Sequence, residues 1–402
     1  MMAVAARLGS RLRPAGRCPR LDTGLVLATL ALIALGLVMV ASASITMADR
    51  QLGQPFYFVI RQFIHLGLGL LLAALVLKVK LSVWERGSFL WLALALVLLA
   101  LVLVPGLGRE VNGSVRWLVL GPFRLQVSEP AKLLLILYLA GYLVRRGEEV
   151  RTQVAGFLKP MAVMVLAAVL LLLEPDFGAM VVLMVTVLGM TFLAGVRLWQ
   201  FAVLLGMAMS FFALLAVTSP YRLARLTAFL NPWADPFNSG FQLTQSLIAI
   251  GRGDLFGVGL GASIQKLFYL PEAHTDFIFS VLAEELGLVG VLVVIALYAF
   301  IVWRAFAIAE VARQGQQPFA SYLAYGIGIW IGLQSVINIG VSMGLLPTKG
   351  LTLPLISYGG SSLLVMCAAI ALLLRIDYET RCNVHNLKAT GAEPAQRRRA
   401  RS

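Results

Sequence analysis

PEAHTDFIFSVLAEELGLVGVLVVIALYAFIVW, residues 271–303, decides how the rest of the chain is read. From residue 277 onward it is an apolar run longer than the roughly 20 residues a helix needs to cross a bilayer. Its entry is polar: a Pro, a Glu, a His and an Asp arrive within six residues. Thr275 or Asp276 is placed to cap the helix that follows, because either side chain can accept from the free N–H groups of a first turn. A carboxylate at a helix start beside apolar walls is also suited to act as a base, since desolvation raises its proton affinity. Inside the run, Asp276, Ser280 and Glu284 are spaced i, i+4, i+8 and roughly share a face, while Glu285 points away from it. The spacing therefore puts Glu284 on the cavity that Asp276 would line and sets Glu285 against another helix.

Outward from this stretch the chain is mostly apolar helix. Hydrophobic residues make up 60% and charged residues 13%, and mean hydropathy is +0.88. Those values exclude a soluble domain of this size. The reading is an all-α polytopic membrane protein of about ten transmembrane helices. Expected spans are 22–43, 57–77, 87–104, one from 128, 161–173, 179–194, 199–217, 277–303, 321–343 and one ending at 375. The net charge of +14 does not point to nucleic acid. The basic residues gather in the two tails and in short loops, which marks a cytoplasmic face and puts both termini there. Residues 1–21 and 377–402 read as basic cytoplasmic tails and 22–376 as the transmembrane domain. One large outer loop, 217–276, lies between the seventh and eighth spans; a segment of this length is usually functional. Its glycine-rich run, 251–261, follows no strand and so is no nucleotide fingerprint. Amphipathic half-helices lying on the membrane suit the loop better. The cysteines, two in the tails and one in a span, imply no disulfide framework.

This topology collects the polar residues at one face. Arg116 follows the turn Asn112-Gly113 in an outer loop. Glu129 and Lys132, at i, i+3, can pair at the start of the fourth span, where such a pair is costly unless it is useful. Glu174 and Asp176 lie in the turn EPDFG. Arg225 is in the long loop, His274 and Asp276 are at its end, and Lys349 is in the last outer turn. Acids and bases thus mix at the lipid surface, and the cations suit a phosphate headgroup. No HExxH metal motif and no GxSxG nucleophile elbow is present.

Three strings carry a family resemblance: REVNGSVRWLVLGPFRLQVSEPAK (109–132), NPWADPFNSGFQLTQSLIAIGRGDLFGVGLGASIQKLFYLPEAHTDFIF (231–279) and LPTKGLTLPLISYGGSS (346–362). Together they resemble the SEDS family (shape, elongation, division and sporulation) of peptidoglycan glycosyltransferases over nearly the whole chain. REVNGSVRW and SIQKLFYLPEAHTDFIF lie closer to its division member than to its elongation member. SEP where SEL or SEI is usual and NPW where DPW is usual are small departures.

The resemblance implies polymerisation of lipid II, the lipid-linked disaccharide-peptide, at the outer face of the bacterial cytoplasmic (inner) membrane and, for the division member, at the septum. A 4-hydroxyl attacks the anomeric carbon of an undecaprenyl-linked glycan, undecaprenyl diphosphate leaves, and the carbon inverts. Asp276 matches the family's essential Asp, which makes it the expected base. Lys132, Arg116, Arg225 and Lys349 are expected to stabilise the departing diphosphate, with Glu129 orienting Lys132. Asp176 reads either as a cavity residue or as a turn former, and His274 as a hydrogen-bond partner more than a second base. No cofactor is expected, and a divalent cation is left open. The implied partners are membrane lipid, the monofunctional transpeptidase FtsI and the FtsQ–FtsL–FtsB complex. Two other readings compete: a lipid II flippase, which would carry its charges near the bilayer midplane, and a non-catalytic division scaffold, in which Asp276 would be replaceable.

Overall fold

In lipid a backbone has to satisfy its own N–H and C=O groups, so the apolar runs become helices. The computed structural model describes residues 21–389 apart from 112–113, 122, 198, 201, 204, 207–209, 211–228, 239, 268 and 348–349. The chain opens with α1 (Thr23–Leu52), α2 (Tyr57–Lys78), the short α3 (Leu81–Arg86) and α4 (Ser88–Val102). Next come α5 (Ser128–Thr152), α6 (Val154–Leu173) and α7 (Phe177–Leu193). A 3-10 turn (Pro232–Ala234) and α8 (Phe241–Arg252) lead to α9 (Ile278–Gln314), α10 (Pro318–Ser342) and α11 (Gly360–Ala389). Six of the described helices (α1, α2, α6, α9, α10 and α11) are long and apolar enough to cross a membrane, and α4 and α7 are shorter apolar helices. The protein is a multi-pass helical membrane protein. The expected seventh span, 199–217, lies largely outside the described residues.

α5 is the central helix. Leu135, Leu137 and Leu139 are fully buried, and α5 packs on α4, α6 and α10, as its run of residues 133–144, apolar on every side, must. α2 is peripheral: it buries only Gln62, Gly69 and Val76, a stripe of seven-residue period laid against α11. At the bundle end where α1 begins, Asp22 caps α1 by accepting from Leu25 N at 3.1 Å. Asp22 also accepts from Arg304 Nε of α9 at 2.7 Å. α11 continues past the expected span end at residue 375. The i, i+4 ion pairs Arg375–Glu379 and Arg381–Asp377 support these added turns.

The loop after α4 is not helical. β1 (Gly108–Val111), β2 (Ser114–Leu120) and β3 (Phe123–Gln126) form an antiparallel sheet in the order β1-β2-β3. The strands stay paired as far as Val111 with Ser114 and Leu120 with Phe123. The sheet is tied to the start of α11, where Gln126 N donates to Ser361 Oγ at 2.8 Å.

α9 is broken rather than continuous. Gly287 has φ 65° and ψ −164°, and the chain that follows α8 runs into the break. Val258 N and Gly259 N donate to the carbonyls of Glu284 and Glu285, and Leu288 N and Val289 N donate to those of Asp254 and Leu255. These bonds replace the ladder that the break removes. The glycine run makes this approach possible. A Cβ at Gly257, itself at φ +80°, would stand 2.2 Å from Glu285 O. Gly257→Ala is therefore expected to lower stability by roughly 3 kcal/mol. A thermal midpoint equal to that of wild type in the same detergent would show that the run does not seat there.

Two buried carboxylates clamp the same junction. Glu284 accepts from Arg252 Nη1 at 2.9 Å, from Ser263 Oγ, and from Ile264 N at 3.1 Å. Glu285 accepts from Lys266 Nζ at 2.7 Å and from Ser42 Oγ of α1. α8 is the amphipathic half-helix of the long loop. It packs on α9 and α10, and Ser246 Oγ donates to Ser342 O at 2.7 Å.

Candidate active site

The turn ahead of α9 carries Asp276. Glu272 takes a left-handed φ of 57°, and its carbonyl accepts from Thr275 N and Phe277 N. α9 begins at Ile278 with Phe277 at its N-cap and no side-chain cap, one residue later than Asp276 and two later than Thr275, the expected caps. Three successive carbonyls are held from outside the turn. Tyr358 N donates to His274 O at 3.0 Å, Ser357 Oγ to Thr275 O at 2.6 Å, and Asn338 Nδ2 to Asp276 O at 2.8 Å. The backbone that aims the Asp276 side chain is thus fixed, and the residue is half-buried. Its carboxylate lies against Gly350, where a Cβ would come within 2.9 Å of Oδ2.

The donors Ser357 and Tyr358 belong to a non-helical segment, 350–359, between α10 and α11. Leu351, Leu353, Leu355 and Ile356 in it are buried. Irregular backbone is tolerated at such depth only where protein encloses and satisfies it. Here Leu353 N donates to Ser357 Oγ at 2.8 Å, and Tyr298 of α9 donates to Pro354 O.

Residues 350–352 gather the other candidates. Asn338 donates to Leu351 O at 2.6 Å. One turn earlier on α10, Gln334 donates to Thr352 O at 3.0 Å and accepts from Lys132 Nζ at 2.9 Å. Lys132 is 1% exposed. It pairs with Glu129 at 2.9 Å and lies 5.2 Å from the Trp330 ring centroid. On another side, a Cβ at Gly178 would press on the Leu351 side chain at 2.9 Å, so the first turn of α7 sits on the same segment. Asp176 caps that turn by accepting from Ala179 N at 3.1 Å. Its neighbour Glu174 is fully buried. Burial pushes the Glu174 carboxyl up to about 8; the negative Asp176 adds to this, and Arg116 of β2 opposes it.

Asp276, Glu129, Lys132 and Asp176 are therefore brought to one end of the bundle around a three-residue hub, and Arg116 of β2 acts on the turn that holds Asp176. Glu284 is not brought there, since its carboxylate is taken up by the loop clamp. His274 packs its ring between Phe58, at 4.6 Å, and Tyr358, at 5.5 Å. Burial holds its imidazole below the ordinary range, with Glu272 opposing. Its Nδ1 has no hydrogen-bond partner, and its hydrogen bond to the segment runs through its backbone. Arg225 and Lys349 lie outside the described residues. Gln334 and Asn338 were not singled out by the sequence reading. Their signal was a pair of amides at i, i+4 inside an apolar span, where a polar side chain needs a reason.

A family model described as "Cell cycle protein", covering FtsW, RodA and SpoVE, matches residues 23–382. The chain belongs to the FtsW/RodA/SpoVE family. Among the relatives of this family, the "Probable peptidoglycan glycosyltransferase FtsW" of Thioalkalivibrio sulfidiphilus is 64% identical over 361 residues, 90% of each chain. Two solved structures share the fold. One is a chain from a peptidoglycan synthase complex that coordinates polymerization and crosslinking. It has TM-score 0.73 and 35% identity over 90% of this chain and 98% of that one. The other is the rod shape determining protein RodA of Thermus thermophilus, with TM-score 0.66 and 33% identity over 89% and 96%. In this FtsW/RodA/SpoVE chain, the arrangement sets a carboxylate on a fixed turn and links a buried lysine, through Gln334, to the segment that this carboxylate lies against.

Proposed function

We propose that the chain is a peptidoglycan glycosyltransferase that polymerises lipid II into β-1,4 glycan at the outer face of the bacterial inner membrane, during septal wall synthesis. The observation that carries this reading is Asp276, held at three successive carbonyls with its carboxylate against Gly350. The carboxylate takes the proton from the attacking 4-hydroxyl as the new C–O bond forms. The bond to the diphosphate breaks, its electron pair leaves with the phosphate, and the α-linked carbon becomes β-linked. One base suffices for a single displacement, and no covalent enzyme intermediate is needed. Arg116, Lys132, Arg225 and Lys349 are assigned to the charge that grows on the leaving diphosphate, with Glu129 orienting Lys132. Asp176 is assigned to holding the first turn of α7 against the hub.

The partners proposed are a monofunctional transpeptidase of the FtsI type, the FtsQ–FtsL–FtsB complex and membrane lipid. Support for the first comes from the synthase complex that contains a similar chain. Residues 22–376 form the transmembrane domain, with basic tails on either side and 217–276 as the outer loop. The reading is tested by incubating the purified protein and its transpeptidase with lipid II and resolving the glycan by length. No glycan, from a complex that is folded and intact, would return weight to transport or scaffolding.

Asn338 tests how the base is aimed. Asn338→Ala leaves the carbonyls of Asp276 and Leu351 without their donor, at a cost of about 1–3 kcal/mol. A base displaced by about 1 Å loses on the order of 100-fold in rate. The expected result is a fall of that size in kcat with KM little changed. A rise in KM at constant kcat would assign Asn338 to substrate binding instead.

A further inference from the structure

The turn between α6 and α7 holds more buried polar atoms than it satisfies. Both carboxyl oxygens of Glu174, Oδ2 of Asp176 and Nε of Arg116 are buried without hydrogen-bond partners. Glu174 and Asp176 are two residues apart in one tight turn, in which Asp176 N donates to Leu171 O. Asp176 spends Oδ1 on the cap of α7, and Arg116 spends Nη2 on Ser114 Oγ at 2.9 Å. The charged groups acting on Glu174 among the described residues are Asp176 from its own turn and Arg116 from β2. A fully ionised group would put two negative charges and one positive charge into a dry site, and no hydrogen bond would join them. Such an arrangement is costly. A single proton removes the excess charge and supplies the missing donor.

We propose that Glu174 is a positioning residue that stays a neutral acid, donates its O–H to Oδ2 of Asp176, and so leaves Arg116 facing one negative charge instead of two. Two carboxyl groups in one turn then behave as a pair holding one proton. With a single counter-charge, Arg116 keeps its attraction for a phosphate oxygen. With two, that attraction is spent inside the protein. The inference rests on the reading in which Arg116 meets the diphosphate of the lipid-linked substrate. The raised proton affinity of Glu174 agrees with it and sets the window. Between its ordinary value of 4.5 and about 8, the folded state holds a proton that the unfolded chain has released. Stability therefore falls as pH rises through that window, and the contribution is exhausted above it.

The test compares wild type with Glu174→Gln, which keeps the shape and donor of the neutral acid. Thermal midpoint and the KM for lipid II would be followed from pH 6 to pH 9 in the complex with the transpeptidase. Wild type is expected to lose midpoint as pH rises and to raise KM by about tenfold, the order set by weakening one charge-assisted contact to phosphate. Glu174→Gln is expected to be level in both. Asp176→Asn keeps a cap oxygen and removes the second carboxylate, so it should lower the pH at which both changes occur. Equal slopes in wild type and Glu174→Gln would overturn the shared proton. A midpoint slope abolished while the KM slope persists would overturn the positioning role. Absence of glycan at every pH in all three proteins, with the midpoint slope confined to the two that keep Glu174, would overturn the polymerase reading and the role of Arg116 with it, and would keep the shared proton.

Discussion

Asp276→Asn is expected to abolish glycan synthesis while leaving the protein folded and bound to its transpeptidase. General-base catalysis is worth about 10²–10⁴-fold, and an amide of the same shape cannot take the proton. The turn that carries the residue keeps its backbone bonds. The residue is half-buried, and its hydrogen bond from Asn338 goes to the backbone carbonyl, which the substitution keeps. The space beside Gly350 accepts an amide as readily as a carboxylate. The measurement is glycan length and yield from lipid II, with thermal midpoint and co-purification of the transpeptidase as controls. Equal glycan from both proteins would remove Asp276 as the base. It would then be one more residue of a turn whose geometry Ser357, Tyr358 and Asn338 already maintain.

Much of this arrangement was legible in the sequence, and the reasons are local. Apolar length gives the spans, since nothing else satisfies a backbone in lipid. The i, i+3 spacing of Glu129 and Lys132 gives their pair, and EPDFG gives a tight turn between two helices. What was not legible depends on chain that arrives from far away. Gly287 sits in LAEELGLVG, which reads as uninterrupted helix. Its left-handed backbone exists because residues 254–259 supply the hydrogen bonds on both sides of the break. A helical wheel put Glu284 on the face of Asp276, but a wheel knows only its own helix. Arg252, Ser263 and the amide of Ile264 meet that carboxylate first. The loop at 108–126 has clear turn chemistry, yet pairing of its short strands is a tertiary outcome fixed in part by Ser361. Gln334 and Asn338 have no local motif at all, and their meaning lies in the carbonyls they reach on residues 276, 351 and 352.

Lys132→Met is expected to destabilise the protein by about 3–5 kcal/mol, because it strands a buried carboxylate. Glu129 is 3% exposed. One of its oxygens bonds Lys132 and the other has no partner, so loss of the ammonium leaves it with nothing. Stability alone would not separate a structural pair from a functional one. The double variant Glu129→Gln with Lys132→Met does, since it removes both charges at nearly constant volume. Replacing a whole buried pair is often neutral, so the double variant should recover most of the lost midpoint. Its activity should not recover. Removing one group that stabilises charge in a transition state costs about 10²–10³-fold. Gln334 would also lose one of the two donors to its Oε1, keeping only Trp330 Nε1, and Gln334 is the donor to Thr352 O. The next residue, Leu353, is bonded through its N–H to Ser357, whose hydroxyl holds the turn of Asp276 at Thr275 O. Recovery of both midpoint and glycan in the double variant would make the pair structural and leave the leaving-group charge to Arg116, Arg225 and Lys349.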